Sequence, residues 1–260
     1  MSTHAWWTFP GKLDPNQTYR RLIDGARRRD RGTAQLLADR PDSSSSVQAG
    51  YFGALARLSV HTEDIGGQAA EALLSLGLPP QLRAGVVRAM WDELRHAEIF
   101  LELADSLGAP ARDLTPVEAL IDTLQVPETE LEFALVHTEL EAAALDTFRL
   151  IAESLPESRV GLTYQAVSVD ETSHVRLGND IVGSLIARGA PVDLDRAMAA
   201  LDATATLSFQ ASPTTLELLA TILGRQAPEL HRQLEARRTA RYRQARQALL
   251  RCSGLPGEEG

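Results

Sequence analysis

The chain has 260 residues, of which 44% are hydrophobic, so it can build a sizeable core in one large domain or two small ones. Its formal net charge of −9 argues against a general nucleic-acid-binding surface. A single cysteine, Cys252, excludes an intrachain disulfide and suits a reducing cytoplasm. The first ten residues lack a signal-peptide pattern, and no apolar run is long enough to span a membrane. We therefore expect a cytoplasmic protein without a membrane partner.

Residues 1–45 are polar and contain a basic run at 27–29 and a serine tract at 43–46. This composition predicts an N-terminal arm, partly helical around 19–37. From Val47 onward the sequence is rich in Ala, Leu, Glu and Arg, with Pro and Gly at helix-length intervals. The fold class predicted by this pattern is all-α.

The Pro and Gly breaks divide the remaining chain into helices of unequal length. The predicted helices span 47–76, 80–107, 115–123, 127–154, 157–188, 193–209, 213–224 and 227–252. Several of them have about 25 residues or more, roughly 38 Å at 1.5 Å per residue. Helices of this length favour a bundle over a compact globular arrangement.

A repeat relates two parts of this helical region. Val-His-Thr-Glu occurs at 60–63 and again at 136–139, and each copy is followed by Leu-Pro, by Asp-Glu-x-x-His and by Gly-Ala-Pro. The interval from the Glu of the string to the Glu of Glu-x-x-His is 30 residues in the first copy and 32 in the second. Each copy therefore predicts a helical hairpin, and two hairpins make a four-helix bundle.

The repeat brings together side chains that can bind metal. In each Glu-x-x-His segment the three-residue spacing puts the carboxylate and the imidazole on one helix face, and the partner helix adds another Glu. The predicted ligands are Glu63, Glu93, His96, Glu139, Glu171 and His174. Four carboxylates buried together need cations, and two divalent ions would neutralise them. Mixed oxygen and nitrogen ligation suits iron or manganese.

The third bundle helix offers more than one candidate ligand. Glu141 and His137 compete with Glu139, because this helix is apolar almost all round and its periodicity selects no face. The repeat favours Glu139, which matches Glu63. His61 and His137 lie two positions before those glutamates, about 200° around the helix, and we interpret both as structural. The alternative for the whole cluster is a duplicated bundle that has lost its metal.

With these residues, the region 47–190 resembles the ferritin-like non-heme di-iron carboxylate superfamily. The resemblance implies a ferritin-like four-helix bundle in which the six residues above bind two iron ions, with a manganese–iron pair as the alternative and O₂ as co-substrate. It also implies that Asp92 and Asp170, each preceding a Glu-x-x-His, hydrogen-bond the ligand imidazoles. Some N-oxygenating members have an additional His four residues before the last ligand Glu. Here that position is Val167, which argues against that subgroup.

The resemblance implies that a reduced di-iron site activates O₂. The chain has about 45 residues before the first hairpin and about 70 after the second, more than a minimal ferritin subunit needs, so we favour an oxygenase or oxidase. We expect an O₂-dependent monooxygenase or oxidase that hydroxylates, N-oxygenates or desaturates a small organic substrate in specialised metabolism, with an external electron donor or reductase and with a homodimer as one assembly. Small residues one turn from the string glutamates would leave space for O₂ or substrate, and close helix contact is the alternative. The pocket candidates are Gly66, Gly67, Ala142, Ala143, Trp91 and Tyr164.

Three other functions remain open at this point. An iron-storing ferroxidase would need no organic substrate. An RNA-modifying di-iron hydroxylase would use the arginine-rich last helix, although we favour the alternative that this helix packs on the acidic bundle. A scaffold would bind no metal. The predicted division of the chain is an arm at 1–45, the bundle at 46–191 and a helical extension at 192–260.

Overall fold

The computed structural model describes residues 46–108, 127–211 and 213–252. The predictions for the 1–45 arm, for the 115–123 helix and for the His61 side chain lie outside the described residues. Within the described ranges the chain forms seven α-helices and no strand, which confirms the all-α class. No helix in these ranges is both long and apolar enough to cross a membrane.

The seven helices follow the predicted segments closely. They are α1 Ser46–Leu73, α2 Pro80–Ser106, α3 Glu130–Ser154, α4 Arg159–Ala187, α5 Leu194–Ala211, α6 Pro213–Leu223 and α7 Ala227–Cys252.

Local sequence explains where these helices begin and end. The Thr129 side chain accepts a hydrogen bond from the Glu132 amide at the start of α3, and Ser158 does the same for Gly161 at the start of α4. Pro80 occupies the first turn of α2, where no amide donor is needed. After α4, Gly189 has φ of 82°, a left-handed conformation that glycine adopts without steric cost.

The first four helices contact one another in a ring. α1 packs along α2 and α3 packs along α4, each pair being joined by a short connection and therefore antiparallel. The two hairpins then meet through contacts of α2 with α4 and of α1 with α3. The later helices cover one side of this ring, since α5 and α7 contact α3 and α6 contacts α1.

The core is divided into two apolar layers. One layer contains Phe52, Phe100, Phe148 and Tyr164 and extends to α6 and α7. The other contains, among others, Leu73, Val86, Leu135, Ile181 and Leu185 and extends to α5 and α7. Along each of the four ring helices, at least one buried glutamate lies between the residues of these two layers. The fold thus places a polar layer in the middle of an otherwise apolar bundle.

Candidate metal centre

The polar layer consists of four glutamates and two histidines, one or two from each ring helix. Each of these six side chains is at most 4% exposed. The Glu/His cluster comprises Glu63 from α1, Glu93 and His96 from α2, Glu141 from α3, and Glu171 and His174 from α4.

The cluster divides into two overlapping sets of ligand atoms. Glu63 and His96 form one set with Glu93 and Glu171, and Glu141 and His174 form the other with the same two glutamates. In each set the ligand atoms all lie within 4.8 Å of one another, which is compact enough to surround one ion. The overlap makes Glu93 and Glu171, one carboxylate from each hairpin, common to both sets.

The position of Glu171 between the two imidazoles shows this sharing directly. Its Oε1 lies 3.0 Å from His96 Nδ1, and its Oε2 lies 3.4 Å from His174 Nδ1. Each Nδ1 also lies close to a second glutamate, 2.9 Å from Glu63 Oε2 for His96 and 2.8 Å from Glu93 Oε1 for His174. The Nδ1 atoms therefore face the carboxylates and are the nitrogen donors available to a cation.

On α3 the structure brings Glu141 to the cluster, and not the predicted Glu139. Glu141 Oε2 lies 3.5 Å from His174 Nδ1, and Glu141 belongs to the second ligand set, whereas Glu139 belongs to neither. Glu139 instead forms an ion pair with the half-buried Arg241 of α7, with NH2 2.7 Å from Oε1. The physical reason is helix rotation, because two positions along a helix turn a side chain by about 200°.

A signal for Glu141 was present in the sequence. Glu141 precedes Glu171 by 30 residues, the same interval that separates Glu63 from Glu93, whereas Glu139 precedes Glu171 by 32. Equal intervals between ligands identify the matching position, because both hairpins bring the two glutamates to the same height. The last residue of the four-letter string thus lies in the cluster only in the first copy. In the second copy, Thr138 of the string packs against Gly178 of α4.

The pKa values of the cluster show how the metal-free protein balances its charge. Burial and the nearby charge of Glu171 raise the pKa of Glu63 to about 7. Burial, with the charges of Glu171 and Glu141, raises the pKa of Glu93 well above its usual range. Burial alone would lower the pKa of His96, but its contacts with Asp170 and Glu171 raise that pKa well above the ordinary value.

The pKa of His174 is also raised, whereas the pKa of the neighbouring Glu141 is lowered. Burial opposes the charged form of His174, but the charge of Glu171 and the contact with Asp92 raise its pKa. Burial alone would raise the pKa of Glu141, but His137 and His174 hold it well below its usual range. Protons on glutamates and histidines thus neutralise the cluster where cations are lacking, which is the expected behaviour of such a group.

Two aspartates support the outer edges of the imidazole rings. Asp170 Oδ2 lies 3.5 Å from His96 Nε2, and Asp92 Oδ2 lies 3.6 Å from His174 Nε2. Each aspartate therefore approaches the histidine of the other hairpin. A carboxylate beside Nε2 favours a proton on that nitrogen and leaves Nδ1 free to bind a cation. At His96 the NH2 group of Arg95 also lies 3.2 Å from Nε2, so this nitrogen faces a carboxylate and a guanidinium donor together.

Two arginines that the sequence reasoning missed hold the aspartates in place. Arg95 NH1 donates to Asp92 Oδ1 at 2.7 Å, and its NH2 donates to Asp170 Oδ2 at 2.5 Å. Arg88 approaches the same two carboxylates, at 3.2 Å and 3.6 Å. The sequence signal for Arg95 is a difference between the two repeats. The first Asp-Glu-x-x-His contains Arg95 at the position where the second contains Ser173. One buried arginine can serve both aspartates only because the hairpins meet at this point.

The predicted pocket residues have different surroundings in the structure. A Cβ at Gly66 would lie 2.7 Å from Glu93 Oε2, so this glycine makes room for a cluster carboxylate, and Gly67 is in ordinary contact distance of Glu93. Trp91 is 40% exposed and points away from the core. Ala142 and Ala143 are buried in the bundle.

Tyr164 is also buried, packed between Phe100 and Phe148 with ring centroids 4.8 and 5.3 Å away. Its hydroxyl lies 2.7 Å from the hydroxyl of Ser59. An open groove of about 390 Å³ lies elsewhere, at the surface of α3 and α4, and its lining includes Arg149, Gln165, Val169 and Thr172. None of the pocket candidates lines this groove.

The residues of the cluster fit a pair of divalent cations. Several buried polar atoms complete no hydrogen bond within the described part of the chain, namely Glu93 Oε1, Glu171 Oε1, and both ring nitrogens of His174. Such atoms are rare in folded proteins unless something else satisfies them. Four carboxylates and two imidazoles are also the donor set that carboxylate-bridged dinuclear centres in helical bundles use.

Comparison of this chain with family models, with curated proteins and with solved structures found no match.

Proposed function

We propose that this chain is a ferritin-like dinuclear metal protein and that it acts as a non-heme di-iron oxygenase or oxidase. Glu63 and His96 would hold one iron, Glu141 and His174 the other, and Glu93 and Glu171 would bind both. The observation that carries the proposal is the pair of overlapping ligand sets that share one carboxylate from each hairpin. A manganese–iron pair would use the same donors.

The residues around the site have separable roles in this proposal. When bound and reduced, the two ions supply electrons to O₂. Asp92 and Asp170 keep the proton of each imidazole on Nε2, and Arg95 fixes both aspartates. The two apolar layers of the core exclude water above and below the cluster. An external reductase, a small organic substrate and a cytoplasmic setting complete the proposal.

A ferroxidase of the iron-storage type is the second candidate. One observation favours it, because the space beside Gly66 is filled by the carboxylate of Glu93, so this glycine supplies no room for an organic molecule. A ferroxidase needs only iron and O₂. Its expected assembly is a closed multi-subunit shell rather than a monomer or dimer.

One experiment separates these candidates. The protein is loaded anaerobically with two equivalents of Fe(II), and O₂ uptake is then followed with a chemical reductant and a panel of small amines, alcohols and acids. An oxygenase or oxidase should consume O₂ catalytically and yield an oxidised product with one class of compound. A ferroxidase should instead consume O₂ in proportion to added Fe(II), regardless of the organic compound, and should elute as a large assembly on size-exclusion chromatography. Iron-loaded protein that consumes no O₂ under either condition would overturn both.

A further inference from the structure

A third histidine lies beside the Glu/His cluster. His137 on α3 is 1% exposed, and its Nε2 lies 3.1 Å from Glu141 Oε1. The two residues are four positions apart, the spacing that puts side chains on one helix face. The two carboxylate oxygens of Glu141 therefore have different histidine neighbours. Oε1 lies near His137, and Oε2 lies near His174.

The hydrogen bonding of this buried imidazole is incomplete. Neither ring nitrogen of His137 completes an aligned hydrogen bond within the described part of the chain. Buried polar groups are normally satisfied, so an imidazole in this condition needs a specific reason to be there. Its Nε2 lies within 3.1 Å of the carboxylate of Glu141, which belongs to the second ligand set.

The other half of the bundle has no histidine at the matching position. Four residues before Glu63 stands Ser59, whose hydroxyl is paired with the hydroxyl of Tyr164 at 2.7 Å. Ser59 therefore turns toward the aromatic layer of the core rather than toward its glutamate. Among the described side chains, the two halves therefore differ at this position: the second half has an imidazole beside Glu141 Oε1, whereas the first half has a hydroxyl paired with Tyr164.

We propose that His137 is a positioning residue for Glu141, and this inference rests on the proposed dinuclear centre. With its proton on Nε2, the imidazole donates to Glu141 Oε1 and leaves Oε2 to the cation held with His174. His137 itself belongs to neither compact set of ligand atoms, which favours this role over direct binding of the cation. The two metal positions are therefore unequal in affinity.

The test uses Co(II) as the probe, because its visible absorption reports binding without any enzymatic activity. The full-length protein and the variants are titrated anaerobically with Co(II), and binding is followed by absorbance and calorimetry. The wild type should bind two Co(II) in two resolved steps. His137→Leu should weaken one step by about 10- to 100-fold, the usual effect of removing a residue that orients a metal ligand, and leave the other step unchanged.

Two further variants make the result specific. His137→Gln places an amide donor where Nε2 stands and should retain both steps. His137→Asn is too short to reach Glu141 and should weaken one step as His137→Leu does. It therefore replaces His137→Leu in the test if that variant does not fold. Ser59→Ala, at the matching position of the other half, should leave both affinities as in the wild type.

The outcomes distinguish the inference from the function on which it rests. A wild type that binds no Co(II) and no Fe(II) would overturn both. Two wild-type steps that His137→Leu and His137→Asn leave unaltered would overturn the inference alone. Weakening of one step by His137→Gln to the same degree as by His137→Leu would also overturn it, because the imidazole would then act as a ligand rather than through Glu141.

Discussion

At the scale of single residues, Glu139 and Glu141 show that sequence proximity does not decide chemical role. Both are buried glutamates on α3, 3% and 4% exposed. Glu139 faces the C-terminal helix and pairs with Arg241, which also contacts Asp146. Glu141 faces the cluster and lies between His137 and His174. Their positions differ by a helix rotation, so exchanging one carboxylate for an amide should affect different properties.

The first prediction concerns this pair. Glu141→Gln should lower metal stoichiometry, because the neutral amide is a poor ligand, and should leave the contact of α7 with α3 intact. Glu139→Gln should keep the wild-type stoichiometry but reduce the free energy of unfolding by about 1–3 kcal/mol, since a charged contact of the half-buried Arg241 is lost. Metal analysis and urea unfolding of both variants measure these effects. Reduced stoichiometry in Glu139→Gln with normal binding in Glu141→Gln would restore the assignment from the repeat.

At the scale of helices, close approach of α1 to α2 explains one of the two adjacent glycines in α1. Glycine inside a helix costs up to about 1 kcal/mol relative to alanine, so each position needs a reason. Gly66 has one, because a Cβ there would lie 2.7 Å from Glu93 Oε2. At Gly67 the corresponding contact is 3.6 Å from Glu93 Cβ, which is ordinary van der Waals distance.

The second prediction follows from this difference. Gly66→Ala should displace the carboxylate of Glu93, and because that carboxylate belongs to both ligand sets, both metals should bind more weakly. Gly67→Ala is the matched control. It should bind metal normally and raise the free energy of unfolding by up to about 1 kcal/mol. Co(II) titration and thermal unfolding of the two variants give the comparison, and equal metal affinity in both would show that Gly66 has no part in positioning Glu93.

The helices themselves were largely predictable, because proline and glycine mark their ends and the apolar residues fill two continuous layers. The repeated string did not predict which side of α3 faces the cluster. Because α3 is apolar on nearly every face, its hydrophobic pattern fits equally well when the facing residue is shifted by two positions. Arg95 was missed, and His137 was interpreted as structural, for a related reason. Their roles depend on which residues the other hairpin brings opposite them, at Asp170 for Arg95 and at the second ligand set for His137.

At the scale of the whole molecule, the polar layer makes stability depend on pH and on metal. Glu63, Glu93, His96 and His174 all have raised pKa values, so each binds its proton more tightly in the folded chain than in the unfolded one. The stability that these tightly held protons contribute is present at low pH and is lost as the pH rises. For Glu63 the loss occurs between pH 4.5, its ordinary pKa, and about pH 7, its pKa in the folded chain. For Glu63 alone this loss is on the order of 3 kcal/mol. The lowered pKa of Glu141 acts only below this window.

The third prediction is therefore that the melting temperature of the metal-free protein falls between pH 5 and pH 8. Cations that replace these protons should reverse the effect, so the increase in melting temperature caused by Co(II) should be larger at pH 8 than at pH 5. Calorimetry at four pH values, with and without the metal, measures both quantities. A metal-free melting temperature that rises steadily over this range would show that the cluster is not held together by protons.

The central claim is that six buried residues bind two metal ions, and iron stoichiometry tests it most directly. The full chain is loaded anaerobically with Fe(II), freed of unbound metal and analysed for iron and protein, with Mössbauer spectroscopy to identify the environment. We predict two irons per chain in sites rich in oxygen and nitrogen ligands, and loss of both when Glu93 and Glu171 are replaced together by Gln. An iron content near zero in the folded wild-type protein would contradict the claim.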